Sequence, residues 1–222
     1  MQQEDIIKDI RTRCRMGMNG ITSTSMRQKG LAYKVNFGLA IQQIKELSER
    51  YQPDKELAET LWKEDTRELK ILATLLYPVA EFTEETANEW VTAIPNQEIR
   101  EQVCMNLFQN LPFAGKVAIE WGGNADEDIR TTGYWLVARL YLIKKAENIL
   151  PDAFNYIWND AVSDNISLRN AALQALKHIG RQSESTADNI LKKLSVYKES
   201  SDLVKQEAYN GLAFEFEYYF DK

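Results

Sequence analysis

The sequence predicts an all-α fold, a solenoid of antiparallel helix pairs with a concave face, and three observations carry that prediction. One apolar stripe of helical period recurs along the chain, its copies stand at a nearly constant spacing, and no stretch of useful length shows the period-two alternation of a strand. The clearest copy is LRNAALQALKHIG, residues 168 to 180. Leu168, Ala171, Ala172, Ala175, Leu176 and Ile179 fall on one face of a helix with about 3.6 residues per turn, a face that needs a partner on one side.

Taken in order, residues 1 to 62 read as opening helices over roughly 4–14, 26–51 and 54–62. Residues 63 to 222 then read as about five helix pairs, the whole chain forming a single domain. A weak first copy of the stripe begins at Asp65, with Leu69, Leu72, Ala73 and Leu76 in phase. Further copies start at Ile99, Ile129, Leu168 and Val204, giving spacings of 34, 30, 39 and 36 residues. A spacing near 36 accommodates two helices and two short turns. EETANEWVTAI, PFAGKVAIEW, PDAFNYIWNDAV and ADNILKKLSVY supply the second helix of each pair. Pro95, Pro112 and Pro151 fall between helical patterns, and Asp, Asn and Ser cluster before the repeated helices. Repeats of this length and pattern describe a HEAT-like stack, right-handed and curved.

Composition narrows the function. No apolar run approaches the roughly 18 residues of a membrane span, and no N-terminal signal pattern is visible, so a soluble, cytoplasmic protein is expected. Cys14 and Cys104 are far apart within helical patterns, and His178 is the only histidine, which argues against a disulfide framework, a metal site or a catalytic triad. Gly122-Gly123 lacks the spacing and the Lys-Ser/Thr of a phosphate loop; no cofactor is expected. The net charge of −6 opposes simple attraction to DNA, yet residues 1–34 hold seven bases against three acids, leaving −10 on the rest. A basic end on an acidic body follows.

Ile99, Ile129, Leu168 and Val204 are each followed at once by a base, Arg100, Arg130, Arg169 and Lys205, and in the weak copy from Asp65 the base, Arg67, is displaced by one position. Two readings are open: each base pairs with a neighbouring repeat, or the row of cations faces a ligand.

LAETLWKEDTRELKILATLL, residues 57 to 76, carries a more specific pattern: an LW, a short gap, then an Arg-Glu pair opening an apolar helix. It resembles the DNA alkylation repair (AlkD-like) family of HEAT-like repeat proteins. YKVNFGLAIQQIKELSERY, residues 33 to 51, is similar to that family's aromatic-plus-FG entry into its first long helix, and EDIRTTGYWLVARL and SLRNAALQALKHIG fall where it has Arg-bearing repeats. The resemblance covers roughly residues 30 to 215. It implies a DNA glycosylase ancestry, in which a groove holds the duplex while a carboxylate and aromatic faces stabilise the oxocarbenium left by a departing cationic base.

The pattern departs where that chemistry is done. With the shared Val on Val103, Arg100 stands at the family's Trp, Cys104 at its Asp and Gln174 at its later Trp, while Arg130 matches its backbone-binding Arg. Neither a thiol nor an amide supplies the missing negative charge. Glu101, adjacent to the lost position, faces a different direction on the helix; Glu120, Asp126 and Asp128 are the carboxylates of the central repeats, and Trp121, Tyr134, Trp135 and Trp158 their aromatics. The expected function is therefore binding of double-stranded DNA, damaged or branched forms included, through Arg100, Arg130, Arg169, Lys177, Arg181, Tyr33 and the basic N-terminal segment, without efficient excision. The alternatives are a noncatalytic protein-interaction scaffold and an active glycosylase with a relocated carboxylate.

Overall fold

The computed structural model describes residues 3–146 and 149–220. Its helices are α1 (Gln3–Met16), α2 (Gly20–Gln28), α3 (Ile41–Ser48), α4 (Lys55–Lys63), α5 (Arg67–Leu76), α6 (Glu84–Thr92) and α7 (Gln97–Asn106). They continue as α8 (Ala114–Gly122), α9 (Glu127–Leu142), α10 (Ile157–Asp160), α11 (Ile166–Gly180), α12 (Glu184–Leu194) and α13 (Leu203–Phe220). No strand forms among the described residues; the one strand-like feature is a parallel bridge between Val35 and Thr66. The fold is all-α and HEAT-like. The chain divides into two compact units, one holding the described residues up to Ala87 with Ile94–Leu111, the other Asn88–Ala93 and the described residues from Pro112 onward.

The punctuation of the sequence becomes capping. Asp54, Asn96, Asp126, Asn165 and Ser183 each accept a backbone N–H from the first turn of the helix they precede, satisfying donors that the helix itself cannot. In the first unit α4 packs on α5, and α5 on α3 and α7, around Leu57, Leu61, Leu69, Leu72, Ile99 and Val103. In the second, α9 lies between α8 and α11, and α11 also meets α12 and α13. All six stripe residues of α11 are fully buried. Gly133 stands where the copies from Ile99, Leu168 and Val204 carry Val103, Ala172 and Ala208 because α8 and α9 touch there: a Cβ at Gly133 would lie 2.3 Å from the Gly122 backbone nitrogen.

Two expected helices are broken. The helix expected over 26–51 ends at Gln28 and resumes only at Ile41, because its middle is held by partners distant in sequence. Val35 donates its N–H to the Asp65 carbonyl and accepts from Arg67 N, both at 3.1 Å. Gly38 turns the chain at φ +74, where a Cβ would meet the Asn19 carbonyl at 2.3 Å. Tyr33 thus lies in an irregular segment and not on a long helix. Likewise PDAFNYIWNDAV holds only a 3-10 turn, Pro151–Ala153, and the four-residue α10; extended backbone at Phe154 separates them.

Candidate nucleic-acid interface

In the first unit the segment that carries the family resemblance is a buried lock. Glu68, fully buried, accepts the N–H groups of Phe37, Gly38 and Leu39 at 3.0, 3.0 and 3.2 Å, so one carboxylate satisfies three donors of the FG turn. Arg67, 1% exposed, gives Nη1 to the Leu39 carbonyl at 2.8 Å and to Glu68 at 3.1 Å, while Nε and Nη2 hold Glu98 at 2.8 to 3.0 Å. Tyr33 closes the cluster, its hydroxyl donating to Glu98 at 2.8 Å and to Asn96 at 3.2 Å. Burial works against the Arg67 charge, but Glu98 and Glu68 outweigh it and hold its pKa above the ordinary value. Burial, reinforced by Glu98, pushes the Tyr33 phenol far up, so it stays protonated as a donor. Beside it, Lys70 donates to the Trp62 carbonyl at 2.6 Å with its ammonium 4.9 Å from the indole centroid, tying α5 back to α4.

The second unit has a counterpart. Arg130, 6% exposed, grips Asp160 through Nε at 2.8 Å and Nη2 at 3.1 Å, and Nη1 reaches the carbonyls of Asn124 and Ala125 at 3.0 and 2.8 Å. The Tyr134 hydroxyl donates to the same carboxylate at 2.8 Å, and the Tyr156 ring lies 4.5 Å from the guanidinium carbon. The hydrogen bond to Asp160 holds the Arg130 pKa above its ordinary value despite burial. Lys177 and Arg181 converge on Glu215, Lys177 at 2.9 Å, and Arg181 also covers Tyr219 at 4.9 Å. Burial would raise the Glu215 pKa; the two bases overcome that and lower it.

Of the six residues assigned to DNA from the sequence, Tyr33, Arg100 and Arg130 are therefore buried. Arg100 gives Nη1 to Gln97 at 2.8 Å. Arg169, Lys177 and Arg181 are half-buried, with Arg169 bonded to the Ser163 carbonyl. Lys8, Arg15, Arg27, Lys29 and Lys34 of the N-terminal segment are exposed, whereas Arg13 is held by Asp9 at 2.8 Å and Arg11 by Glu64 at 2.6 Å. Sequence reasoning missed the acids that take up Arg67 and Arg130. Their signal was a carboxylate about 30 residues downstream, Glu98 and Asp160.

Of the residues that the resemblance sets against the family's catalytic ones, Arg100 and Cys104 both point into the buried side of α7, and Gln174 is half-buried on α11. Glu101 is exposed and accepts from Gln97 at 3.0 Å; Asp126 is occupied as the cap of α9. Trp121 is buried and donates to Asn88 at 2.7 Å, and Tyr134 belongs to the Asp160 cluster. Trp135 is half-buried, its indole N–H enclosed without a hydrogen-bond acceptor. Trp158 is half-buried and lines a cleft on the second unit. Among the described residues no group of three or more His, Cys, Asp or Glu side chains could hold a metal, and no helix is long and apolar enough to cross a membrane.

Comparison with known proteins places these features. A family profile described as DNA alkylation repair enzyme matches residues 20–212. No curated protein matches the chain. A solved structure, described as "a new family of proteins related to the HEAT-like repeat DNA glycosylases with affinity for branched DNA structures", is similar at TM-score 0.68 and 15% identity, over 96% of this chain and 94% of that one. With a profile match over most of its length and the Arg67-Glu68 lock at its most specific segment, the chain belongs to the DNA alkylation repair enzyme family.

Proposed function

We propose that the chain is a cytoplasmic DNA-binding protein that holds double-stranded DNA, branched or damaged forms included, without efficient base excision. The observation that carries this reading is the likeness, over nearly the whole chain, to a relative with affinity for branched DNA. The replaced positions support the second half. An oxocarbenium needs a carboxylate within a few ångströms, and the family's position for it is a buried thiol, Cys104. In the first unit exposed Lys8, Arg15, Arg27, Lys29 and Lys34 contact phosphates; in the second, half-buried Arg169, Lys177 and Arg181 do. Arg100 and Arg130 serve by fixing the starts of their helices, and Tyr33 by holding Asn96 and Glu98 at the start of α7, rather than by touching DNA.

The test is fluorescence anisotropy on a four-way junction and a matched duplex over a salt series, with single-turnover base release from DNA carrying 7-methylguanine and 3-methyladenine. Reversing Arg27, Lys29 and Lys34 to Glu together weakens binding and lowers the salt slope by about one unit for each phosphate interaction removed. Affinity indifferent to salt and to that triple change would overturn the DNA reading. Release above the spontaneous rate would overturn the noncatalytic half and point to Glu101 or Asp128.

One observation favours the scaffold reading as the alternative. On α13, Phe214, 70% exposed, stacks on Tyr218, 58% exposed, at 6.4 Å between ring centroids, and Leu203 on the same helix is also 70% exposed. Co-purification of one protein partner, abolished by Phe214→Ser, supports that reading.

A further inference from the structure

The second unit contains a cleft of about 580 Å³, separate from the Arg130 and Glu215 clusters, lined by Leu150, Pro151, Asp152, Trp158, Thr186, Asn189, Ile190, Lys192 and Lys193. One wall is a single face of α12: Thr186, Asn189, Ile190 and Lys193 stand at helical offsets of 0, 3, 4 and 7. The other wall is the turn Leu150–Asp152 with Trp158 on α10. Ile190 and Pro151 are buried and give an apolar floor; Lys192, Lys193 and Asp152 are exposed at the rim. The wall that carries Trp158 is firmly seated. Phe154 packs edge-on against Tyr134 at 5.6 Å, Ile157 is fully buried, and Asp160 is clamped by Arg130. A four-residue helix would not hold an indole in place alone; those three anchors do.

We infer that this cleft binds a nucleoside phosphate, with the base against the Trp158 indole and the phosphate at Lys192 and Lys193. The volume lies in the range of small-molecule sites, and an aromatic face beside paired cations is how sequence-tolerant nucleotide sites are built. Asn189 and Thr186 offer an amide and a hydroxyl to base edge or sugar. Asp152 accepts from a sugar hydroxyl or exocyclic amine, and its charge disfavours a bare anion on that side. Inorganic phosphate alone thus uses half the site. The ligand comes either as a free nucleotide or as an unpaired nucleotide of single-stranded DNA. The inference stands independently of duplex binding.

The test uses the full chain labelled with 5-fluorotryptophan, titrated with 5′-dAMP, deoxyadenosine, inorganic phosphate and a 5′-phosphorylated oligothymidylate. The Trp158 resonance, assigned by Trp158→Phe, shifts with dAMP, and affinity falls about tenfold when base or phosphate is omitted. Lys192→Gln with Lys193→Gln, both on exposed residues and compatible with folding, weakens dAMP binding by about tenfold or more. Competition of the oligomer with dAMP identifies single-stranded DNA as the source; dAMP binding without competition identifies free nucleotide. The inference is overturned if dAMP binds no tighter than phosphate, or if neither the Trp158 signal nor the lysine pair responds. Junction affinity of the lysine double variant, measured alongside, keeps failure here distinct from failure of the DNA-binding reading.

Discussion

The two units each bury an arginine at the start of a repeat helix, but they surround it differently. Arg67 faces two carboxylates, Glu98 and Glu68, and the second of these also binds three backbone N–H groups of a loop. Arg130 faces one buried carboxylate, Asp160, with the exposed Glu127 farther off at 3.9 Å, and completes its bonding with two carbonyls and the Tyr156 ring. In the first unit the base offsets an excess of buried negative charge and a loop is ordered around it. In the second the buried pair, Arg130 with Asp160, is balanced and fixes a four-residue helix. The same kind of residue thus has different importance according to what it leaves behind when removed.

The largest predicted effect breaks the comparison directly. Arg67→Met strands two acids and the Leu39 carbonyl, and should cost about 3–5 kcal/mol, read as a shift in the urea midpoint. Arg130→Met strands one buried acid, since Glu127 is exposed to solvent, and should cost less; equal losses would mean that the second enclosed carboxylate of the first unit is immaterial. Leu176→Ala, in the fully buried stripe of α11, follows at about 2–5 kcal/mol. Gly133→Ala should cost about 1–3 kcal/mol, since its new methyl group meets the backbone of α8 and not a movable side chain. In both variants hydrogen exchange should accelerate in α8, α9 and α11 first.

Acid sharpens the contrast further. His178, in the second unit, has its pKa lowered by burial and then by Arg181 and Lys177, with Arg139 adding to the effect and Glu215 opposing it. A depressed folded pKa means stability that is complete above the unfolded value, near 6.5, and lost as pH falls through the folded one. With no other histidine in the chain, mildly acidic pH should loosen the second unit and spare the first, and His178→Gln should abolish that difference in exchange rates. Glu215, also depressed, adds a second loss only below the ordinary carboxylate range, near pH 4.

The smallest effect is a near-absence of reaction. Both cysteines lie in the first unit and are buried, and burial, with Glu68 nearby, pushes the Cys14 thiol up to about 12. Thiol-specific reagents should label the folded chain only through opening of that unit. Labelling should accelerate in Arg67→Met and stay unchanged in Arg130→Met.

What the sequence revealed follows the range of the interactions involved. The stripes and caps were legible because a period of 3.6 and an Asn or Asp before it are local signals: Leu168 to Ile179 and Asn165 needed nothing distant. Residues 29–40 were misread as helix because their path depends on Glu68 and Asp65, about thirty residues away, although Gly30 and Gly38 stood there as warnings. The shortness of α10 had a visible sign in Pro151. For the bases, position was legible and partner was not. Arg130 reads the same whether it faces a phosphate or Asp160, and only the folded chain brings that acid within 2.8 Å.

The Arg67-Glu68 pair has a consequence for how relatives are to be sorted. Its most recognisable letters, the LW, the Arg-Glu and the FG upstream, are those that tie Trp62 to Lys70 and close the turn at Gly38. They form a signature of assembly. A chain can keep every one of them while changing what it does to DNA, because none of these side chains is left over for a substrate. Membership tells how such a chain is built; its chemistry has to be read from other positions, one by one.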